Sequence, residues 1–161
     1  MEISAPDYKA IGGGAPNGDG MDIDSCQNVL IEHNVINAGD DHVTILSGTN
    51  GKGAPSKNIT VRHNILGTGM GLSVGSSVAG GIEDVLYQHN WMNQSAGEWG
   101  MGVHLKTRVQ YGGYIRNIAY LDNYFLTAGA PGGAIHIESG YQSAGKIDIH
   151  AARLIDQIRS D

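Results

Sequence analysis

The sequence predicts an all-β fold, a parallel β-solenoid. A seven-residue pattern returns four times without gaps, a second short strand pattern recurs with it, and the composition suits many short strands joined by tight turns. The four copies are Asn28-Val29-Leu30-Ile31-Glu32-His33-Asn34, Asn58-Ile59-Thr60-Val61-Arg62-His63-Asn64, Asp84-Val85-Leu86-Tyr87-Gln88-His89-Asn90 and Asn117-Ile118-Ala119-Tyr120-Leu121-Asp122-Asn123. Their starts lie 30, 26 and 33 residues apart. In each copy apolar side chains alternate with polar ones, the two-residue period of a strand with one buried face. Each ends on asparagine, and asparagines stacked at a turn can hydrogen-bond one strand spacing away, about 4.8 Å.

The second pattern is apolar-x-apolar-x: Met21 to Asp24, Val43 to Leu46, Leu72 to Gly75, Val103 to Lys106 and Ile135 to Glu138. The reading is therefore two strands per coil with variable loops between them. A leucine-rich repeat is disfavoured because its leucine spacing is absent, and a sandwich would not repeat so regularly. The 25 glycines against one phenylalanine agree with this punctuation. Residues 1–141 are expected to form the coils and carry the groove. In residues 142–161 the pattern stops, and Leu154, Ile155 and Ile158 could form one apolar helix face, as a cap or as an unrelated extension. The first coil shows no cap, which reads as an open sheet edge and a truncated set of coils.

Composition sets further bounds. No run approaches the roughly 18 apolar residues of a membrane span. A net charge of −6 argues against a nucleic-acid partner. It also means that any polyanionic ligand must be held by a few placed cations. Residues 1–10 carry Glu2 and Asp7 without an apolar stretch, unlike a signal peptide. Cys26 is the single cysteine, so no internal disulfide forms. It reads as a buried small apolar residue.

Stacking the second strands aligns the rows where chemistry could sit. Two residues before each strand stand Asp19, Asp41, Met70, Met101 and Gly133; one residue after its start stand Asp22, Thr44, Ser73, His104 and His136. The third row is Asp24, Leu46, Gly75, Lys106 and Glu138. In this register Asp19, Asp40 and Asp41 adjoin, with His104 and Lys106 about two rungs further along the same groove. Carboxylates facing cations along a trough suit an acidic sugar polymer, one acid protonating the leaving oxygen while another carboxylate activates water. Blander readings stand beside this. Asp40-Asp41 after Gly39, and Asn17-Gly18-Asp19-Gly20, are ordinary turn sequences, and Lys106 alone is a surface lysine. His33, His63 and His89 form a column that could bind metal, although a ladder lining the turn is the simpler reading. Asn58-Ile59-Thr60 and Asn93-Gln94-Ser95 fit the N-glycosylation pattern, which often arises by chance.

A series of motifs, in order, resembles glycoside hydrolase family 28, the polygalacturonases. Pro16-Asn17-Gly18-Asp19-Gly20-Met21-Asp22 with Asp24-Ser25-Cys26 is similar to that family's Pro-Asn-Thr-Asp-Gly-Ile-Asp segment and its Asp-Ser-Cys extension. Gly39-Asp40-Asp41 matches its Gly-Asp-Asp. Gly69-Met70-Gly71 stands at its Gly-His-Gly, and His104-Leu105-Lys106 at its Arg-Ile-Lys. Gly113-Tyr114-Ile115-Arg116-Asn117 follows in place, and Ile135 to Tyr141 resembles the segment that supplies the family's site tyrosine. The resemblance implies a right-handed parallel β-helix and an inverting hydrolase of α-1,4-galacturonan with no metal or cofactor. Its partner would be an acidic polysaccharide, with no nucleic acid or membrane, and the parent protein would be secreted. It further implies Asp40 as general acid and Asp19 and Asp41 as the carboxylates that activate water. Lys106 would hold a substrate carboxylate and Tyr141 would line its subsite; Met70 and His104 are the remaining substrate-binding positions. Three departures are clear: Met70 replaces a histidine, His104 an arginine, and His42 the cysteine that commonly follows Gly-Asp-Asp. A hydrolase of a modified pectin such as rhamnogalacturonan or xylogalacturonan, a non-catalytic carbohydrate-binding solenoid, and an adhesive solenoid are the alternatives. A pectate lyase would use calcium and a cationic base, and the trough lacks a suitable arginine.

Overall fold

A computed structural model describes residues 1–6, 17–94, 101–127, 134–141 and 158–159. Among the described residues fifteen short strands form three five-stranded sheets in which every pairing is parallel. The chain visits the sheets in strict rotation, so each coil adds one strand to each sheet. The first sheet stacks β1 (Glu2–Ser4), β4 (Val35–Asn37), β7 (Ile65–Leu66), β10 (Trp91–Gln94) and β13 (Tyr124–Thr127). The second stacks β2 (Met21–Asp24), β5 (Val43–Leu46), β8 (Leu72–Val74), β11 (Val103–Lys106) and β14 (Ile135–Glu138). The third stacks β3 (Gln27–Glu32), β6 (Ser56–Arg62), β9 (Ile82–Gln88), β12 (Ile115–Leu121) and β15 (Ile158–Arg159). The architecture is the parallel β-solenoid expected.

Each coil has three strands, not the two expected. The additional one follows the asparagine of each repeat and sends one side chain inward: Ile36, Leu66, Met92 and Phe125. With Val43, Ile45, Leu72, Val74 and Leu105 from the second sheet, and Ile59, Val61, Val85 and Tyr87 from the third, they fill one continuous core. Each such aliphatic side chain contributes roughly 1.5–3 kcal/mol by leaving water.

Two side-chain ladders fix the register. Asn34 Nδ2 donates to Asn64 Oδ1 at 3.0 Å, Asn64 Nδ2 to Asn90 Oδ1 at 2.9 Å, and Asn90 Nδ2 to Asn123 Oδ1 at 2.9 Å. The stacked asparagines expected from the repeat are therefore present. The residues just before them, His33, His63, His89 and Asp122, take left-handed φ of 57°, 53°, 52° and 49° to turn the chain. The three histidine rings stack face to face at 5.3 and 5.1 Å, as a ladder lining the turn. A second left-handed row, Asn28, Asn58, Asp84 and Asn117, opens the repeats. Asparagine and aspartate tolerate this conformation because a short polar side chain can bond locally. Here Asn58 Nδ2 donates to Asn28 Oδ1 at 2.7 Å.

Two expectations fare differently. Cys26 is exposed, not buried. It holds the position that Ser56 and Ile82 bury in the next coils, but it lies on the outermost described coil, with one side uncovered. Ile158, read as part of an apolar helix face, sits in β15 beside Ile118. Leu154 and Ile155 lie outside the described residues.

Candidate active site

The second sheet and the turns leading into it form the floor of the site. Met21, Val43, Leu72, Val103 and Ile135 pair in that order, so Asp22, Thr44, Ser73, His104 and His136 form one row, as the sequence predicts. Lys106 pairs with Glu138 in the next outward row.

The turns before β2 and β5 are bound to each other. Gly20 N donates to Asp41 O at 2.9 Å, and Gly39 N and Asp40 N to Gly18 O at 2.8 and 3.3 Å. A side chain at Gly20 would place its Cβ 2.5 Å from the His42 carbonyl oxygen, so only glycine lets the turns close. That closure draws one oxygen each of Asp19, Asp40 and Asp41 within 4.8 Å of one another. Asp41 N donates to Asp40 Oδ1 at 2.9 Å. The Thr44 hydroxyl sits 3.2 Å from both Asp19 Oδ2 and Asp41 Oδ2 and can donate to either. From two coils away Lys106 Nζ reaches Asp41 Oδ2 at 2.7 Å. On the intervening coil Gly75 follows Val74 as Lys106 follows Leu105, and a Cβ there would run into the Lys106 carbonyl oxygen, so only glycine lets the two coils pack at this point. Tyr141 closes this end, its ring centroid 5.3 Å from Lys106 Nζ. The result is a trough of about 280 Å³ lined by Asp19, Asp40 and Asp41, a fourth aspartate, Asp22, and Thr44, Lys106 and Tyr141, with Asn17, Leu46 and residues 75–77 completing it.

The electrostatics follow from this crowding. Burial, then the charges of Asp40, Asp41 and Asp22, push the Asp19 carboxyl up to about 7. Burial and the Asp41 charge also raise Asp40, while Lys106 opposes the rise. Burial works against the Lys106 ammonium, but the Asp41 charge and hydrogen bond outweigh it, so its pKa is raised. The site thus keeps a proton on a carboxyl near neutral pH and a permanent cation beside it. His104 behaves differently from the weak cation its sequence context predicts: burial, then the Lys106 charge, lower it to about 4. It is neutral in mild acid.

Of the seven site residues expected, five line one trough: Asp19, Asp40, Asp41, Lys106 and Tyr141. Met70 and His104 are not in its lining. Met70 is half-buried and stacks through its backbone, its N–H on Asp40 O at 2.7 Å and its carbonyl accepting from Met101 N at 2.8 Å. His104 is buried beside Tyr141 and His136, with ring centroids 6.2 and 5.3 Å away. His42 has a structural place. Fully buried, its Nε2–H donates to Gly67 O at 3.1 Å, and a Cβ on Gly69 would lie 2.5 Å from its ring. The imidazole therefore seats the Gly67–Gly71 loop. Sequence reasoning did not assign Thr44 its bridging role; its alignment with His104 was visible, but a threonine in a strand carries no mark of chemistry.

Comparison with known proteins bears directly on this geometry. The model of glycosyl hydrolases family 28 matches residues 1–153. A polygalacturonase of Ralstonia solanacearum is 33% identical over 104 residues, 65% of this chain and 19% of that protein. An endo-polygalacturonase of Pectobacterium carotovorum is 42% identical over 66 residues, 41% of this chain and 16% of the relative. The crystal structure of a hyperthermoactive exopolygalacturonase from Thermotoga maritima matches 91% of this chain and 31% of its own at a TM-score of 0.74 and 33% identity. The chain spans about a fifth of the length of such curated relatives. A family match over nearly the whole chain, together with the shared coil architecture, establishes that this chain belongs to glycosyl hydrolase family 28.

Proposed function

We propose that this chain carries the catalytic groove of a pectin-degrading hydrolase that cleaves α-1,4-galacturonosyl linkages by general acid–base catalysis. The observation that carries the reading is the convergence of three carboxylates within 4.8 Å beside the buried Lys106–Asp41 pair. In the proposed reaction one carboxyl protonates the glycosidic oxygen as the C1–O bond breaks. A second carboxylate takes a proton from the water whose oxygen bonds to C1. Lys106 and Tyr141 would hold a galacturonate carboxylate and ring at the end of the trough. The parent protein would act outside the cell, where its polymer lies.

Asp40 is the proposed acid, on the resemblance and on its raised pKa. A second assignment has its own support: Asp19, pushed to about 7, holds its proton more firmly. Inversion rests on the resemblance alone. The closest oxygens here are nearer than the roughly 6.5–9.5 Å between carboxyl groups usual for inverting glycosidases.

The test compares Asp40→Asn and Asp19→Asn in reducing-end release from polygalacturonate, with NMR of the first anomer formed. Losing the acid should lower turnover about 10²–10⁴-fold. An Asp40→Asn variant with parental turnover removes Asp40 from the role. A chain that binds but never cleaves pectic polymers favours a carbohydrate-binding solenoid instead.

A further inference from the structure

Beyond the carboxylate trough, the described residues hold one other group able to converge on an ion. His104, His136 and Glu138 each present a ligand atom within 4.8 Å of the other two. They come from adjacent strands: β11 and β14 pair His104 with His136, and Glu138 follows two residues on, on the same face. We infer that these three side chains form a binding site for a divalent transition-metal ion of the zinc class.

An ordinary ion pair explains part of the cluster, since His136 Nε2 and Glu138 Oε2 are 3.5 Å apart. It does not explain His104. That ring is 5% exposed, and both its nitrogens are enclosed without a hydrogen-bond partner. Buried polar atoms are ordinarily paired, and a residue that is not calls for an explanation such as an ion. The donor set answers it. Two imidazoles and one carboxylate are a known zinc set, leaving a fourth position for water or another ligand. Imidazole nitrogens also select against magnesium and calcium, which prefer oxygen. Tetrahedral donors at about 2.05 Å from zinc lie about 3.3 Å apart, a distance the half-exposed His136 and Glu138 can close by side-chain rotation. The nearby Lys106 ammonium is directed to Asp41, and Glu138 supplies the negative charge an ion needs beside it.

The stacked histidines behave as a control. Their rings lie parallel at 5.1–5.3 Å, so their nitrogens do not converge on one point. The inference stands apart from the hydrolase reading, and the two can fail separately.

Zn²⁺ is titrated calorimetrically into the parent chain and into His136→Ala, Glu138→Gln and His63→Ala. Co²⁺ is titrated in parallel and followed by its visible absorption, and circular dichroism checks that each variant keeps its β content. The expected result is a single Zn²⁺ site in the parent, unchanged in His63→Ala and weakened at least about tenfold in each ligand variant. Co²⁺ should give a tetrahedral spectrum that His136→Ala abolishes, and Mg²⁺ should not compete. A parent that binds no Zn²⁺, ligand variants that bind as tightly as the parent, or an equal loss in His63→Ala overturns the proposal.

Discussion

Replacing Asp19 by asparagine should stabilise the protein at neutral pH and do nothing near pH 4. The side chain keeps its shape, and an amide oxygen can still accept the Thr44 hydroxyl that now sits 3.2 Å from Asp19 Oδ2. What changes is the charge. Folding lifts the Asp19 pKa from 3.8 to about 7, because burial and three neighbouring carboxylates penalise its ionised form. Below the unfolded value both states hold the proton and the penalty is absent. It grows as pH rises through the window from 3.8 to about 7 and is complete above it. At 1.36 kcal/mol per pH unit the full shift corresponds to about 4 kcal/mol. The carboxyl is only half-buried, and solvent screening reduces this to about 1–2 kcal/mol. For a chain of this size that is a rise in Tm of about 3–6 °C. Thermal unfolding of parent and variant at pH 4 and pH 8 measures it. Equal Tm values at pH 8, or a larger gain at pH 4, would refute the electrostatic account of the cluster.

Two further outcomes follow from buried contacts. Lys106→Met should cost about 3–5 kcal/mol, because it strands the Asp41 carboxylate, 1% exposed, without its cation. The double variant Lys106→Met/Asp41→Asn should recover most of the loss; urea midpoints decide, and a single-variant cost under about 1 kcal/mol would contradict the pairing. Asn64→Ala should cost about 2–4 kcal/mol, because it removes acceptors for the Asn34 backbone and side-chain N–H groups and unpairs Asn90 Oδ1 from one donor. The exposed Asn93→Ala should change stability by less than about 0.5 kcal/mol, and equal effects would mean the ladder contributes nothing.

Much of this architecture was legible in the sequence because a solenoid writes its register into the chain. Aligning Met21, Val43, Leu72, Val103 and Ile135 reproduces the observed pairing, and from it the neighbourhood of Asp19, Asp40 and Asp41 follows. The recurring asparagines announced their own ladder. The third strand stayed hidden because two to four residues with one inward side chain, such as Ile65–Leu66, give no periodic signal. The exposure of Cys26 was hidden because inward position and actual cover are different properties, and only neighbouring coils supply the second. His104 was read as a groove residue because its row faces outward; that the ring would be enclosed, next to His136 and Tyr141, depends on packing across coils that spacing alone does not describe.

The corners of the coil divide labour. Between the third sheet and the first, every coil turns in two residues, from His33-Asn34 to Asp122-Asn123. The segments flanking the second sheet are unequal: five residues lead into β5 and β8 but eight into β11, while nine, seven and eight lead out of β5, β8 and β11. Length variation therefore falls on the segments that flank the second sheet, and the carboxylate floor, set by strand pairing, stays in place. In such a solenoid a connecting segment can lengthen or shorten from one coil to the next with no residue of the floor displaced.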